Sequence, residues 1–178
     1  MYLPEDSVNE VEQQWFGRHL AAMREPVLSV AGKPKDYVAV RILRLPTFTH
    51  PSAVRVEAEG DRIVRRAVET DGQGGFDVGE VIVDRAGTLT RTQADVMLAE
   101  LDATGFWSWP AEEEGGLIIM DGTEFVVEAI RNGEHRVRVR TSPDVGTEER
   151  GLVKFADFCE SQFAATGFDD ASELDEDD

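Results

Sequence analysis

Apolar residues recur at helical spacing near the start of the chain, as Val8, Val11 and Trp15 and as Phe16, Leu20 and Met23. Ser7 and Glu10 have capping-box spacing, so the pattern predicts a helix from there to about Arg24, stopped by Pro26. Residues 31–36 read as a loop joining this segment to the rest. The pattern then shortens to strand length. Tyr37–Leu45 is rich in β-branched and aliphatic residues and ends at Pro46, and Val54–Ala58 and Arg62–Val68 flank a hairpin signal at Glu59, Gly60 and Asp61. A loop at 71–75 and a short strand over Val78–Val83 follow. Thr90 and Gln93 form a second capping box, opening a helix to about Thr104 whose buried stripe is Met97, Leu98 and Leu101, with Gly105 as its stop. Three further strands are expected, Leu117–Met120, Glu124–Ile130 and His135–Thr141, the first two joined by a tight turn at Asp121 and Gly122. A last helix spans about Glu148 to Ala164, with Leu152, Phe155, Phe158, Cys159 and Phe163 on its apolar face.

Strands grouped together with helices at their margins give an α+β fold: a mainly antiparallel sheet of about six or seven strands and three helices. The organisation expected is an N-terminal helix and linker (1–36), an α+β domain (37–166) and a disordered acidic tail (167–178). The tail carries seven of the chain's 36 carboxylates and no base. Setting it aside reduces the formal net charge from −18 to −11, so the body is acidic in its own right. Such a surface repels nucleic-acid phosphates and favours basic partners. The N-terminus lacks the basic region that opens a signal peptide, no apolar run approaches a membrane span, and one cysteine cannot form an intramolecular disulfide. These features together lead to the expectation of a cytoplasmic protein without membrane association.

Few residues offer chemistry. His19, His50, His135 and Cys159 show no metal-ligand spacing, and no cofactor motif is present. Gly72, Gly74, Gly75 and Gly79 are followed by a strand and by no Lys-Ser/Thr pair, so they read as turn glycines. Cys159, on an apolar helix face, reads as a buried small hydrophobe. His50 follows a strand end and, with Asp71 or Asp121, would make an acid–base pair. Arg136, Arg138 and Arg140 share one face of a strand. A three-residue loop Arg131–Gly133 would set Glu128 beside Arg136 and Glu124 beside Arg140 on an exposed face. A two-residue loop at Asn132 and Gly133 would instead set Val127 against Arg138 and Phe125 against Arg140; the first register is the one expected. Trp107 and Trp109 sit just past a helix end, either covering the core there or exposed as interface anchors.

The string Arg44–Pro51, with Leu89 and Thr90, Phe106 and Trp107, Asp121 and Gly122, and Ser142 and Pro143, resembles an uncharacterised family of bacterial proteins. The likeness covers residues 37 to about 160. It implies a bacterial origin, no assigned activity and no catalytic residues. The functional expectation is therefore a non-catalytic acidic module that binds a basic protein partner, with Trp107 and Trp109 at the contact. The alternatives are a small hydrolase using His50 with Asp71 or Asp121, and a nucleic-acid mimic.

Overall fold

A computed structural model of the chain describes residues 1–111, 113 and 119–167. Six strands, β1 (Val38–Pro46), β2 (Ser52–Glu59), β3 (Arg62–Thr70), β4 (Val81–Thr88), β5 (Thr123–Arg131) and β6 (Glu134–Thr141), form one antiparallel sheet in the order β4-β3-β2-β1-β5-β6. The first four strands are a meander. Helix α2 (Arg91–Ala103) then carries the chain back so that β5 pairs with β1. Together with α1 (Glu10–Ala22) and α3 (Val153–Ala164), this is the α+β architecture that the pattern predicts.

Strand alternation divides the side chains between two layers. Val40, Ile42, Val54, Val56, Phe125 and Val127 face α2 and α3 and join Met97, Leu101, Phe155, Phe158 and Phe163 in one core. Leu43, Leu45, Ala53, Val68, Val126, Val137 and Val139 face the other way and meet Phe16, Leu20 and Met23 of α1. The N-terminal helix thus shares a core with the sheet.

The α1 face also holds a row of charge. Arg41, Arg55 and Arg66 lie side by side on β1, β2 and β3, and Glu128 of β5 lies opposite Arg41. Three cations in a row need a counter-charge, and Glu25 supplies it. The last turn of α1 closes in a Schellman motif, with Arg24 N–H donating to Ala21 O, Glu25 N–H to Leu20 O, and Arg24 in the left-handed region at φ 55°. That closure drops the Glu25 carboxylate onto the row, 2.5 Å from Arg66, 2.8 Å from Arg55 and 3.6 Å from Arg41. Arg41 also pairs with Glu128, whose other oxygen lies 2.7 Å from His135 Nε2. Glu25, Arg41 and Glu128 are all buried.

Several boundaries differ from the sequence reading. The capping box of α1 is Asn9 with Glu12, because the Ser7 hydroxyl is spent on the Pro4 carbonyl. β4 begins three residues later than expected and runs on to Thr88. Helix α3 begins at Val153, since Gly151 takes a left-handed turn (φ 67°) and Leu152 N–H closes on Thr147 O. Of the expected strand Leu117–Met120, residues 117 and 118 lie outside the described residues, and Ile119 and Met120 are not in a strand.

The β5–β6 register is also corrected. The turn is the two-residue Asn132-Gly133, both at positive φ (55° and 78°), so Val127 faces Arg138 and Phe125 faces Arg140. Arg138 and Arg140 are buried beneath the 105–111 segment instead of paired with glutamates on an open surface. At the other edge β4 has no neighbour on its outer side among the described residues, and Asp84 to Thr88 are exposed.

Removing one partner from a buried charge cluster strands the others. Glu25→Ala is therefore expected to lower stability by about 3–5 kcal/mol. Glu59→Ala, which loses only a more exposed bridge to Lys33, should cost less than about 1 kcal/mol. Urea unfolding of the two variants tests the contrast, and equal losses would show that Glu25 is not the keystone.

Candidate functional site

Three loops meet at one end of the sheet. Thr47, after β1, donates its N–H and its hydroxyl to the Gly122 carbonyl at 3.1 and 2.7 Å. Gly74 and Gly75, in the β3–β4 loop, donate to Thr49 O and Thr47 O at 3.3 and 3.2 Å. The β3–β4 loop is further closed by Asp71 Oδ1 accepting from Glu80 N–H (2.7 Å) and Asp77 Oδ1 accepting from Gly79 N–H (3.2 Å). Gly74 is required here: a Cβ would overlap the Pro46 carbonyl oxygen and the Leu45 backbone. The glycine-rich stretch is thus a turn that lets two backbones touch. From α1, Trp15 Nε1 donates to Gly74 O at 2.7 Å, which fastens the helix to the same loop.

These loops present two aromatic rings to solvent. Phe48 and Phe76 stack at 5.9 Å between centroids and 28° between planes, and are 55% and 65% exposed. Each follows small or polar loop residues, and no local period signals that their loops meet. Sequence reasoning passed over both.

His50 lies on the first of these loops, exposed, with Nδ1 3.3 Å from Glu69 Oε1. The carboxylate beside it is thus Glu69. Asp71 is engaged by the Glu80 amide, and Asp121 sits exposed in its turn at φ 64°. A nearby cavity of about 320 Å³ is lined by Arg44, Thr49, Thr123, Phe125, Asp144 and Glu160 among others, and His50 is not part of its wall. Arg44 there lies 4.4 Å over the Phe163 ring and donates to Ser52. Cys159 is buried, and desolvation pushes its thiol well above the usual range. Among the described residues no group of three or more His, Cys, Asp or Glu side chains is arranged to hold a metal, and no helix is long and apolar enough to cross a membrane.

Trp107 and Trp109 are half-buried and packed against the α2–α3 core. Trp107 donates to Asp102 at 2.9 Å, with Arg131 over its ring at 4.8 Å. The Arg131 guanidinium also holds the Asp102 carboxyl below its ordinary range. Trp109 leans on Phe155, and Arg140 lies 4.9 Å from its ring centre. The arginines of β6 explain this segment. Arg138 donates to the Phe106 and Trp107 carbonyls, and Arg140 to those of Pro110 and Ala111. Two guanidiniums thus reach four carbonyls of a segment outside helix and strand, and the Val139 N–H of β6 also donates to Ala111 O at 2.9 Å.

Turning arginines inward changes the charge outside. Nine arginines are buried or half-buried: Arg41, Arg44, Arg55, Arg65, Arg66, Arg131, Arg138, Arg140 and Arg150. Among the described residues 20 carboxylates but only 9 basic side chains are exposed, a surface excess of −11. The described residues together sum to −9 (27 acids against 18 bases), so the interior is net positive and the surface more acidic than the composition suggests. The chain matches no known protein-family model and no curated protein.

Two outcomes follow. Trp109→Ala should lower stability by about 2 kcal/mol, roughly half the figure for a fully buried ring, in thermal or urea unfolding. A variant as stable as the parent would show that the ring carries no packing load.

The second concerns His19 of α1, which is buried, with Nδ1 unpaired. Burial lowers its pKa from 6.5 to about 4, and the Arg18 charge adds to this against opposing contributions from Gly74 and Asp77. Above pH 6.5 the ring is neutral in both states and the stability is fully present. As pH falls, the unfolded chain takes up a proton that the folded one refuses, so stability is lost between about 6.5 and 4, by about 3 kcal/mol in all. His19→Leu should flatten that part of the stability–pH curve, and an unchanged slope would refute the assignment.

Proposed function

We propose that the protein is a non-catalytic interaction module whose acidic body binds a basic protein partner. The observation that carries this reading is the exposed excess of 20 carboxylates over 9 bases, which arises because half of the chain's cations are spent inside. Buried arginines neutralise buried glutamates and loop carbonyls, so they contribute little to the external field. The exposed carboxylates keep theirs. A surface of one dominant sign speeds encounter with an oppositely charged partner and sets its orientation. The contact belongs to the folded body, because the exposed excess is counted without the seven tail acids.

Cross-linking capture in the cells of origin tests this, with a chain truncated after Gly167 in parallel. The expected result is a partner with a basic surface, retained by the truncated chain. Its association rate should fall markedly as salt rises, because the screening length shrinks from about 30 Å at 0.01 M to about 3 Å at 1 M. A salt-independent rate, or capture that disappears with the tail, would overturn the reading.

A further inference from the structure

We propose that the stacked Phe48–Phe76 pair is the anchor of the partner-binding surface and that its occupant is a basic amphipathic segment of the partner. The inference rests on the acidic-body reading above and names the place where it acts. Charge alone gives encounter without a desolvated centre, and binding energy concentrates in a few large apolar or aromatic side chains. Most of the chain's other rings are covered. Phe16, Phe106, Phe155 and Phe158 are buried, and Trp107 and Trp109 are occupied by packing and by arginines. Phe48 and Phe76 are instead more than half exposed.

The pair is also rigidly presented. Thr47, Thr49, Gly74, Gly75 and Gly122 tie its two loops to each other and to the turn before β5. Met120, 82% exposed, precedes Asp121 on that same turn. An anchor held this way loses little conformational freedom on binding.

The rim identifies the occupant. Asp71, Asp77 and Glu80 lie on the loop of Phe76, and Asp121 lies beside Met120; all four are exposed. No lysine or arginine occurs in 47–51, 71–80 or 119–122. An apolar centre whose own loops carry four exposed carboxylates and no lysine or arginine complements a segment with apolar residues on one face and lysine or arginine around them. It disfavours a second copy of this chain, because a two-fold contact would bring the same four carboxylates together.

The test uses two synthetic peptides of equal length and equal lysine count. One is amphipathic, with leucines on one face, and the other has serine in place of every leucine. By fluorescence anisotropy the protein should bind the lysine–leucine peptide about tenfold more tightly or better. Phe48→Ser with Phe76→Ser should abolish the preference while leaving the residual, salt-sensitive binding of both peptides. Both rings are exposed, so the melting temperature should hold. A photoreactive lysine–leucine peptide supplies a readout on the unaltered chain, with cross-links expected within 47–50 and 74–78. Equal binding of the two peptides by the unaltered chain, a preference that survives in the double variant, or cross-links confined to the 105–111 segment would overturn the anchor and leave the acidic-body reading standing. Failure of both peptides to bind would overturn both. A dimer that Phe76→Ser dissolves would show that a second copy is the occupant.

Discussion

The Glu25 carboxylate holds three arginines from three neighbouring strands, and much of the molecule follows from that contact. A sheet face carrying Arg41, Arg55 and Arg66 in one row would repel itself and could not be covered by an apolar helix. The Schellman closure of α1 resolves both problems at once. It ends the helix over the row and delivers one anion to the middle of it. Glu128 completes the neutralisation from β5 and passes the network on to His135 of β6. Arg66 also pairs with Asp84 of β4, so all six strands are tied through side-chain charge and hydrogen bonds as well as through backbone ladders. Register has to be strict in such a sheet, since a slip of one residue would turn every arginine to the other face.

The same economy of charge shapes the opposite layer. Arg138 and Arg140 add to the few backbone hydrogen bonds of the 105–111 segment by reaching four of its carbonyls. Arg65 and Arg85 take the last carbonyls of α3 and the turn after it, at Ala165, Thr166 and Gly167. Cations at a helix C-terminus complement its dipole. Arginine suits these tasks because its planar, multi-donor head reaches several oxygens together. The acids have no comparable inward role beyond a few positions, so they collect at the surface. Interior architecture and exterior field are two sides of one allocation.

How much of this was legible depends on how local each signal is. Helix α2 is marked by Thr90 and Gln93, and its capping box forms as read because the signal is complete within four residues. For α1 the pattern places the box at Ser7 with Glu10, whereas it forms at Asn9 with Glu12 because the Ser7 hydroxyl is held by the Pro4 carbonyl. β4 was read short because an edge strand exposed on both faces shows no alternation over Asp84 to Thr88. The β6 register departs from the pattern for a different reason. The pattern places the arginine face toward solvent, whereas the partners of Arg138 and Arg140 are backbone carbonyls of a distant segment, which leave no mark on side-chain pattern. Glu25 carries no local signal, since it stands before Pro26 and its partners lie on three separate strands. Phe48 and Phe76 are 28 positions apart, in loops brought together by glycine backbones. Contacts of that kind are invisible to any window along the chain.

Among the described residues the outer edge of β4 is unpaired, which bears on how the protein behaves in crowded solution. An exposed edge strand invites addition of another chain, and proteins commonly guard against this with lysine, proline or a covering element. β4, from Val81 to Thr88, has no lysine and no proline, and its two charges are drawn to Arg66 and to the carbonyls after α3. What keeps two such edges apart is then long-range: mutual repulsion between highly anionic molecules. That barrier is collective and titratable. Near the isoelectric point of about 4.5 it vanishes, within the same acid range where His19 weakens the hold of α1. Colloidal protection and folded-state stability therefore fail together, so acidification should end in sheet-edge association and precipitate, and not in a dispersed unfolded chain.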